Sequence, residues 1–417
     1  MSPFVLIPIL YTLFTWIYYK WSKSHSLDLS WQQMALAFGV KVLLGLAYGY
    51  IFYTYYKGDD TWYFNSLAEG EYQKLVNDTG QFFSDFNPIP TFSRNPTIGE
   101  GWYFYLSELE LALLTKPLAL FHFITGGDYY NNVVLYNFIS FWPMLWLYGT
   151  YKEVFPNKKT ALYITIFLVP SLLFWLSGIR GDGYLMLFLV LLLVNFHQWV
   201  SGRKGKQLLY ILIGIAGIIV FRSVLLFLLL PVLTCWFITV RFRKKILPVV
   251  AIVYGITAIL FFGSIFVSAE KNLPGIVSER QSAFLRLKGN TRYELDSLRP
   301  TVGSYLKVLP QAINNSFFRP YAWEWKGSLQ GVAAIDILLL FILAFLCFWK
   351  NEGSAALHFS RPLLFYPIIF AITLYIFIGY TIPFPGAIIR YKIPGEWFLV
   401  LAFITGISWQ KLIKLKK

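Results

Sequence analysis

Charge is scarce in this chain. Asp, Glu, Lys and Arg together make up 14% of its 417 residues, where a soluble domain carries about 25%. That shortage excludes an ordinary water-soluble globule. Cysteine is scarcer still: Cys235 and Cys347 both fall inside apolar runs, so they read as core or lipid-facing thiols and no disulfide framework is expected. Four scattered histidines show no metal-ligand spacing, and His122 and His197 read as structural. There is no Walker-type glycine-rich loop, which argues against cytosolic nucleotide hydrolysis. No Ser-His-Asp or Cys-His arrangement, internal repeat or low-complexity tract is evident. The first apolar run, Pro3 to Tyr19, lacks a basic n-region and a small-residue cleavage site, so it does not read as a cleavable signal.

What is present is hydrophobic: 57% of residues are apolar, 20% are aromatic, and the mean hydropathy is +0.56. The expected fold is an all-α, polytopic membrane protein forming one integral membrane domain over 1–417. Hydropathy predicts about eleven spans, near 3–19, 34–56, 130–151, 160–178, 182–198, 207–221, 223–240, 246–267, 332–349, 362–380 and 396–409. Only Arg222 separates the sixth and seventh, which read as one tight helical hairpin. Two long loops, 57–129 and 268–331, interrupt the series.

The net charge of +15 has one location. With the N-terminus outside, the inside segments hold 18 Lys/Arg against 3 Asp/Glu, and the outside segments hold 17 of each. This is the positive-inside rule. It removes any need for a nucleic-acid partner, and it makes Lys411, Lys414, Lys416 and Lys417 a cytoplasmic topology anchor. Both long loops are then external.

The loop 57–129 holds 10 acids and 4 bases. It opens on Lys57-Gly58-Asp59-Asp60-Thr61-Trp62-Tyr63-Phe64, where the chain leaves an apolar run. Asp59 and Asp60 are thereby placed at the lipid–water boundary, suited to acid–base chemistry on a substrate whose tail lies in lipid. The same Gly-Asp-Asp also suits the cap of a helix beginning near Thr61 and running to Val76, and one Asp can cap while the other reacts. Trp102 to Phe123 is apolar but carries Glu108, Glu110 and Lys116. A spanning helix there would have to bury charges at about 2.5–3.5 kcal/mol each, so an interfacial helix is expected, with Tyr103, Phe104 and Leu113 dipping into lipid.

The loop 268–331 contains Pro300, Pro310 and Pro320, a short predicted helix over 304–313, and an aromatic belt from Phe317 to Trp325. Arg180, Arg222, Arg390 and Lys392 each lie at the outer end of a span. Cations there either snorkel to headgroups or await an anion such as a lipid-linked phosphate, which the planar Arg fork suits. Asp182 follows Arg180 closely enough to pair with it and cap the fifth span. Lys41, within the second span, reads as a snorkelling residue.

Three pieces carry a family likeness: Gly58-Asp59-Asp60-Thr61-Trp62-Tyr63 after an early span, the helices of the first external loop, and Arg390-Tyr391-Lys392-Ile393-Pro394 before a late span. Together they resemble polyprenyl-phosphate-dependent glycosyltransferases of the GT-C superfamily, such as the dolichyl-phosphate-mannose-dependent mannosyltransferases. The acidic loop usually follows the first span in that family, and here it follows the second. Phe174-Trp175-Leu176-Ser177-Gly178-Ile179-Arg180-Gly181-Asp182 is similar to stretches in O-antigen-polymerase-like membrane proteins.

The GT-C likeness implies a transferase in a bacterial inner membrane, active on the external face. Asp59 or Asp60 would be the general base, and Arg180, Arg222, Arg390 and Lys392 would hold the polyprenyl phosphate. Trp62, Tyr63 and Trp323 would stack on sugar, and Asp182, Arg319 and Tyr391 complete the substrate-binding candidates. The implied partners are a polyprenyl-phosphate-linked sugar donor, a glycan, lipid or protein acceptor, and membrane lipids. A Mg or Mn ion on the Asp pair is an alternative way to balance phosphate charge, although two vicinal Asp are a thin metal signature. Three rival functions remain: a polymerase or ligase acting on pyrophosphate-linked glycans through external Arg, a lipid or polysaccharide transporter, and a structural subunit. Few buried polar groups and no paired broken helices are expected, which weighs against transport.

Overall fold

The computed structural model describes residues 3–95, 97–203, 205–267, 272–288, 291–324, 327–350, 358–359 and 361–409. No β-strand occurs among them. The chain divides into two compact units, Met1–Trp199 with Arg203–Leu226, and Val200–Gly202 with Phe227–Lys417.

In the first unit, α1 (Pro3–Ser24) and α2 (Trp31–Thr54) pack on each other. A capping box between Ser30 and Gln33 starts α2. The loop expected over 57–129 then folds as α3 (Asp60–Asn77), α4 (Thr79–Phe83), α5 (Ile89–Arg94) and α6 (Ile98–Thr125). After it come α7 (Tyr129–Ser140), α8 (Trp142–Val154), α9 (Lys159–Phe167), α10 (Pro170–Phe174), α11 (Gly181–Val200) and α12 (Gln207–Arg222).

Glycines at 45 and 49, one turn apart, let α2 approach α7 closely. A Cβ at Gly45 would lie 2.6 Å from the Asn137 amide nitrogen and 2.7 Å from the Ser177 carbonyl. Small residues serve membrane helices in this way, because close backbone approach replaces the missing hydrophobic drive.

A buried cation ties the helices of this loop together. Lys116 of α6 is buried and pairs with Glu71 of α3 at 2.5 Å and with Asp85 at 2.7 Å, and it also donates to the Phe82 carbonyl. A charge that made α6 a poor spanning helix is thus neutralised within the loop itself. The helix buries Ala112, Leu114, Leu118 and Ala119 in protein, while Trp102, Tyr103 and Phe104 stay exposed and Leu113 is half-buried.

The second unit contains most of α13 (Val224–Arg241), then α14 (Ile246–Gly263), α15 (Leu273–Arg286), α16 (Val302–Ile313), α17 (Ser328–Trp349), α18 (Pro362–Thr381) and α19 (Pro385–Gly406). Here α18 packs on α19, α17 packs on α19, and α15 and α16 pack on α18. Tyr305, Val308 and Ala312 of α16 form a core with Leu298 and Tyr380. The short helix expected over 304–313 is α16, with Pro310 inside it.

Among the described residues, seven helices are long and apolar enough to cross a membrane: Pro3–Ser24, Trp31–Thr54, Gly181–Val200, Val224–Arg241, Ile246–Phe266, Gln330–Trp349 and Pro362–Thr381. These mark a multi-pass membrane protein. Four other expected spans take different forms. The run near 130–151 is divided at Phe141 into α7 and α8, with Pro143 in the first turn of α8. The run near 160–178 breaks at Leu168 and Val169. Pro170 disfavours the α conformation in the residue before it, and Val169 is extended at φ −81°, ψ 106°. The helix over 207–222 is short, and α19 carries Arg390, Lys392 and Glu396. Only Ser223 separates α12 from α13. The basic residues Lys411, Lys414, Lys416 and Lys417 lie outside the described residues.

Removing the Lys116 charge leaves Glu71 and Asp85 without their shared partner. The Lys116→Met variant is expected to lose about 3 kcal/mol, the low end for breaking a buried pair. Limited proteolysis should then cut first within 78–95, whereas unchanged protection would contradict the clamp.

Candidate functional site

The unwound turn from Trp175 to Arg180 is where the site begins. This turn is buried, and buried backbone outside a helix must find other partners for its carbonyls. Three side chains supply them. Lys41 of α2 donates to the Leu176 carbonyl at 2.9 Å. Asn137 of α7 donates to the Ser177 carbonyl at 2.8 Å. Tyr136, also of α7, donates to the Arg180 carbonyl at 2.5 Å and accepts from the Gly183 N–H at 3.1 Å. Lys41 is therefore buried and internal, which corrects the expectation that it snorkels.

This scaffolding delivers Arg180 to the start of α3. Its side chain is only 6% exposed. One terminal nitrogen, Nη1, donates to Asp59 and lies 3.1 Å from the Tyr48 hydroxyl, while Nη2 donates to Asp60 Oδ2 at 2.6 Å. Tyr48 in turn donates to Asp59 Oδ2 at 3.3 Å. Burial works against the Arg180 charge, but Tyr48, Asp182, Asp59 and Asp60 outweigh it, so its pKa is raised and it stays protonated.

The two aspartates differ. Asp59 stands at the N-cap position of α3, yet its carboxylate makes no cap hydrogen bond, because Arg180 and Tyr48 take it. Its side chain is 22% exposed, whereas that of Asp60 is 58% exposed. Asp60 also lies in the first helical turn, where a negative charge is favoured.

A second layer lies behind Arg180. Asp182, in the first turn of α11, pairs with Arg222 at 2.9 Å and lies 3.8 Å from Arg180 Nε. The expected Asp182–Arg180 pair is thus looser than the Asp182–Arg222 pair. Glu110 of α6 comes against the same turn: a Cβ at Gly181 would sit 2.8 Å from its Oε1. Burial, aided by Asp182 and opposed by Arg222, pushes the Glu110 carboxyl up to about 7. Sequence reasoning noticed Glu110 only as a burden on α6. The available signal was its place on an apolar helix in an otherwise polar loop.

The remaining candidates occupy defined places. Trp62 is packed: its indole N–H donates to the Gly49 carbonyl at 3.0 Å and its ring stacks on Tyr129 at 3.9 Å. Tyr63 is exposed. In the second unit, Arg319 is held by Glu324 and Asn315 and lies 4.0 Å over the Tyr293 ring. Trp323 is exposed and stacks on Tyr321. Arg390 donates to Tyr391 at 3.0 Å. Lys392 is buried, 5.7 Å over the Tyr375 ring, on the same helix as the buried Glu396.

The donor set does not fit the divalent ion considered for the Asp pair. Each carboxylate already spends an oxygen on the same guanidinium, so a divalent cation there would sit against a bound positive charge that opposes it. Comparison with family models, curated proteins and solved structures finds no match.

The Glu110 shift sets a pH dependence. Its folded pKa, about 7, exceeds the ordinary Glu value of about 4.3, so the folded state binds this proton more tightly. The stability so gained is full below the ordinary value and is lost as pH rises through 7. Thermal melting in detergent should show Tm falling from pH 5 to 8, and Glu110→Gln should flatten that slope. An equal slope in the variant would contradict the assignment.

Proposed function

We propose that this chain is a membrane glycosyltransferase acting at the external face of a bacterial inner membrane, with its N-terminus outside and its C-terminus cytoplasmic. It moves a sugar from a polyprenyl-phosphate-linked donor to a glycan, lipid or protein acceptor. The observation that supports this reading is the pair of aspartates gathered on one buried guanidinium at the end of an apolar helix, with one of the two carboxylates open.

A sugar hydroxyl is too weak an acid to ionise freely at neutral pH. In this reading Asp60 accepts the hydroxyl proton as the acceptor oxygen bonds to the anomeric carbon. The bond from that carbon to the phosphate oxygen breaks, and its electron pair leaves on polyprenyl phosphate. Asp60 suits this step because only its Oδ2 is hydrogen-bonded among the described residues. Asp59, more buried and doubly bonded, positions Arg180. Tyr63, exposed one turn after Asp60, is placed to lie against a sugar ring. The developing charge on the departing phosphate calls for cations to stabilise it.

The polymerase or ligase reading fares less well, because Arg180 and Arg222 are both occupied by carboxylates. One observation favours a second reading, a lipid or polysaccharide transporter: the interruptions at Phe141 and at Leu168–Val169. They run against the expectation of unbroken helices and resemble the discontinuous segments of transporters.

The test is release of polyprenyl phosphate by purified protein from a panel of polyprenyl-phosphate sugars. Asp60→Asn keeps size and removes the base, so turnover should fall by about 10²–10⁴-fold while donor binding persists. Turnover surviving in both Asp60→Asn and Asp59→Asn would sink the mechanism. Donor flipping without bond formation would favour the transporter.

A further inference from the structure

The basic segments expected inside are not alike. In the first unit, Lys152 and Lys159 close on Asp28 at 2.6 and 3.0 Å, and Arg203 pairs with Glu153 at 2.9 Å. In the second unit, the turn between α13 and α14 reads Arg241-Phe242-Arg243-Lys244-Lys245 and contains no acid. None of its four cations makes an ion pair among the described residues. The turn is nevertheless well tied. The Phe242 N–H donates to the Ile238 carbonyl at 3.0 Å and the Lys244 N–H to the Thr239 carbonyl at 3.1 Å. Arg243 lies at φ 52°, the left-handed position that usually goes to glycine after a helix. Thr239 is fixed in turn by the Tyr366 hydroxyl of α18, which donates to it at 2.5 Å.

Beside this turn lies an open recess of about 450 Å³, lined by Lys244, Lys245, Ile246, Leu247, Pro248 and Pro362. Helix α14 begins there at Ile246, with no side-chain cap and no acid in its first turn. Its leading N–H groups carry partial positive charge that no side chain meets. We propose that the recess binds an anionic phospholipid of the surrounding bilayer. The phosphate rests against Lys244, Lys245 and the start of α14, and an acyl chain lies along Ile246, Leu247, Pro248 and Pro362.

The occupant follows from what surrounds the recess. Only 6% of the apolar stretch Ile246–Phe266 is buried in protein, and Phe242 and Leu247 at its start are exposed, so lipid is what covers this helix. A soluble anion would use the cations and gain nothing from the apolar wall. A zwitterionic lipid would use the wall but bring its own cation against the lysines. An anionic lipid uses both, and each Lys or Arg near such a headgroup strengthens attachment by about fivefold. This site is independent of the Asp59–Asp60 cluster and of the transfer reaction.

The test is native mass spectrometry of the full-length protein in detergent, with phosphatidylglycerol, phosphatidylcholine or inorganic phosphate added. The wild type should retain phosphatidylglycerol about tenfold more tightly than phosphatidylcholine, and should not retain phosphate alone. Replacing both lysines, Lys244→Gln with Lys245→Gln, should weaken phosphatidylglycerol binding by about 10- to 30-fold. Leu247→Trp, which fills the recess and leaves the charges in place, should weaken it too. Lys20→Gln with Lys23→Gln removes two inside cations far along the chain and should change nothing. Equal retention of the two lipids, or equal losses from the two lysine pairs, would overturn the proposal. So would tight retention of inorganic phosphate alone, or a dimer that Leu247→Trp breaks, which would make a second copy of the chain the occupant.

Discussion

The need to satisfy backbone carbonyls where a membrane helix stops short governs the candidate site. The short α10 ends at Phe174 and α11 does not begin until Gly181, so the turn between them carries buried carbonyl dipoles in an apolar setting. Each one left unmatched costs about 1–3 kcal/mol. Lys41, Asn137 and Tyr136 match three of them. The same hydrogen bonds fix the direction in which Arg180 leaves the turn, and therefore where Asp59 and Asp60 are gathered. Arg180 is placed by structure already required to make the break tolerable.

The charge arrangement has a sign. Around Arg180 and Arg222 stand Asp59, Asp60, Asp182 and Glu110, so acids outnumber bases. Such a cluster suits accepting a proton and is ill suited to gripping a phosphate without further cations. This separates the Asp-based mechanism from the Arg-based one more sharply than sequence motifs do. Glu110 makes no ion pair among the described residues, and burial pushes its carboxyl up to about 7.

The all-α character, a helix beginning near Thr61 and the outlying charges Asp59, Asp60, Arg180, Asp182 and Arg222 were legible in the sequence, because apolar runs and isolated charges mark them directly; the pairing of Arg180 with Asp59 and Asp60 was not. Other features were not. Val169 and Pro170 sit inside an apolar run, and hydropathy averages over a window too wide to register a two-residue break. Lys41 was visible but misread, since its partner is a carbonyl 135 positions away that no local pattern reveals. Lys116, a burden on α6 when read alone, is neutralised by Glu71 and Asp85, which approach it only once α3 and α6 are packed. Trp62 looked available for sugar stacking, but its ring is occupied by Tyr129.

The central claim is that Arg180 clamps the aspartate pair. A double-mutant cycle between Arg180→Met and Asp59→Asn, read by unfolding of the purified protein in detergent, tests it most directly. A clamped pair should show a coupling energy of about 1–3 kcal/mol, since partners in one network are not additive. Effects that add to within about 0.5 kcal/mol would mean that Arg180 and Asp59 act independently, and the account built on their contact would fail.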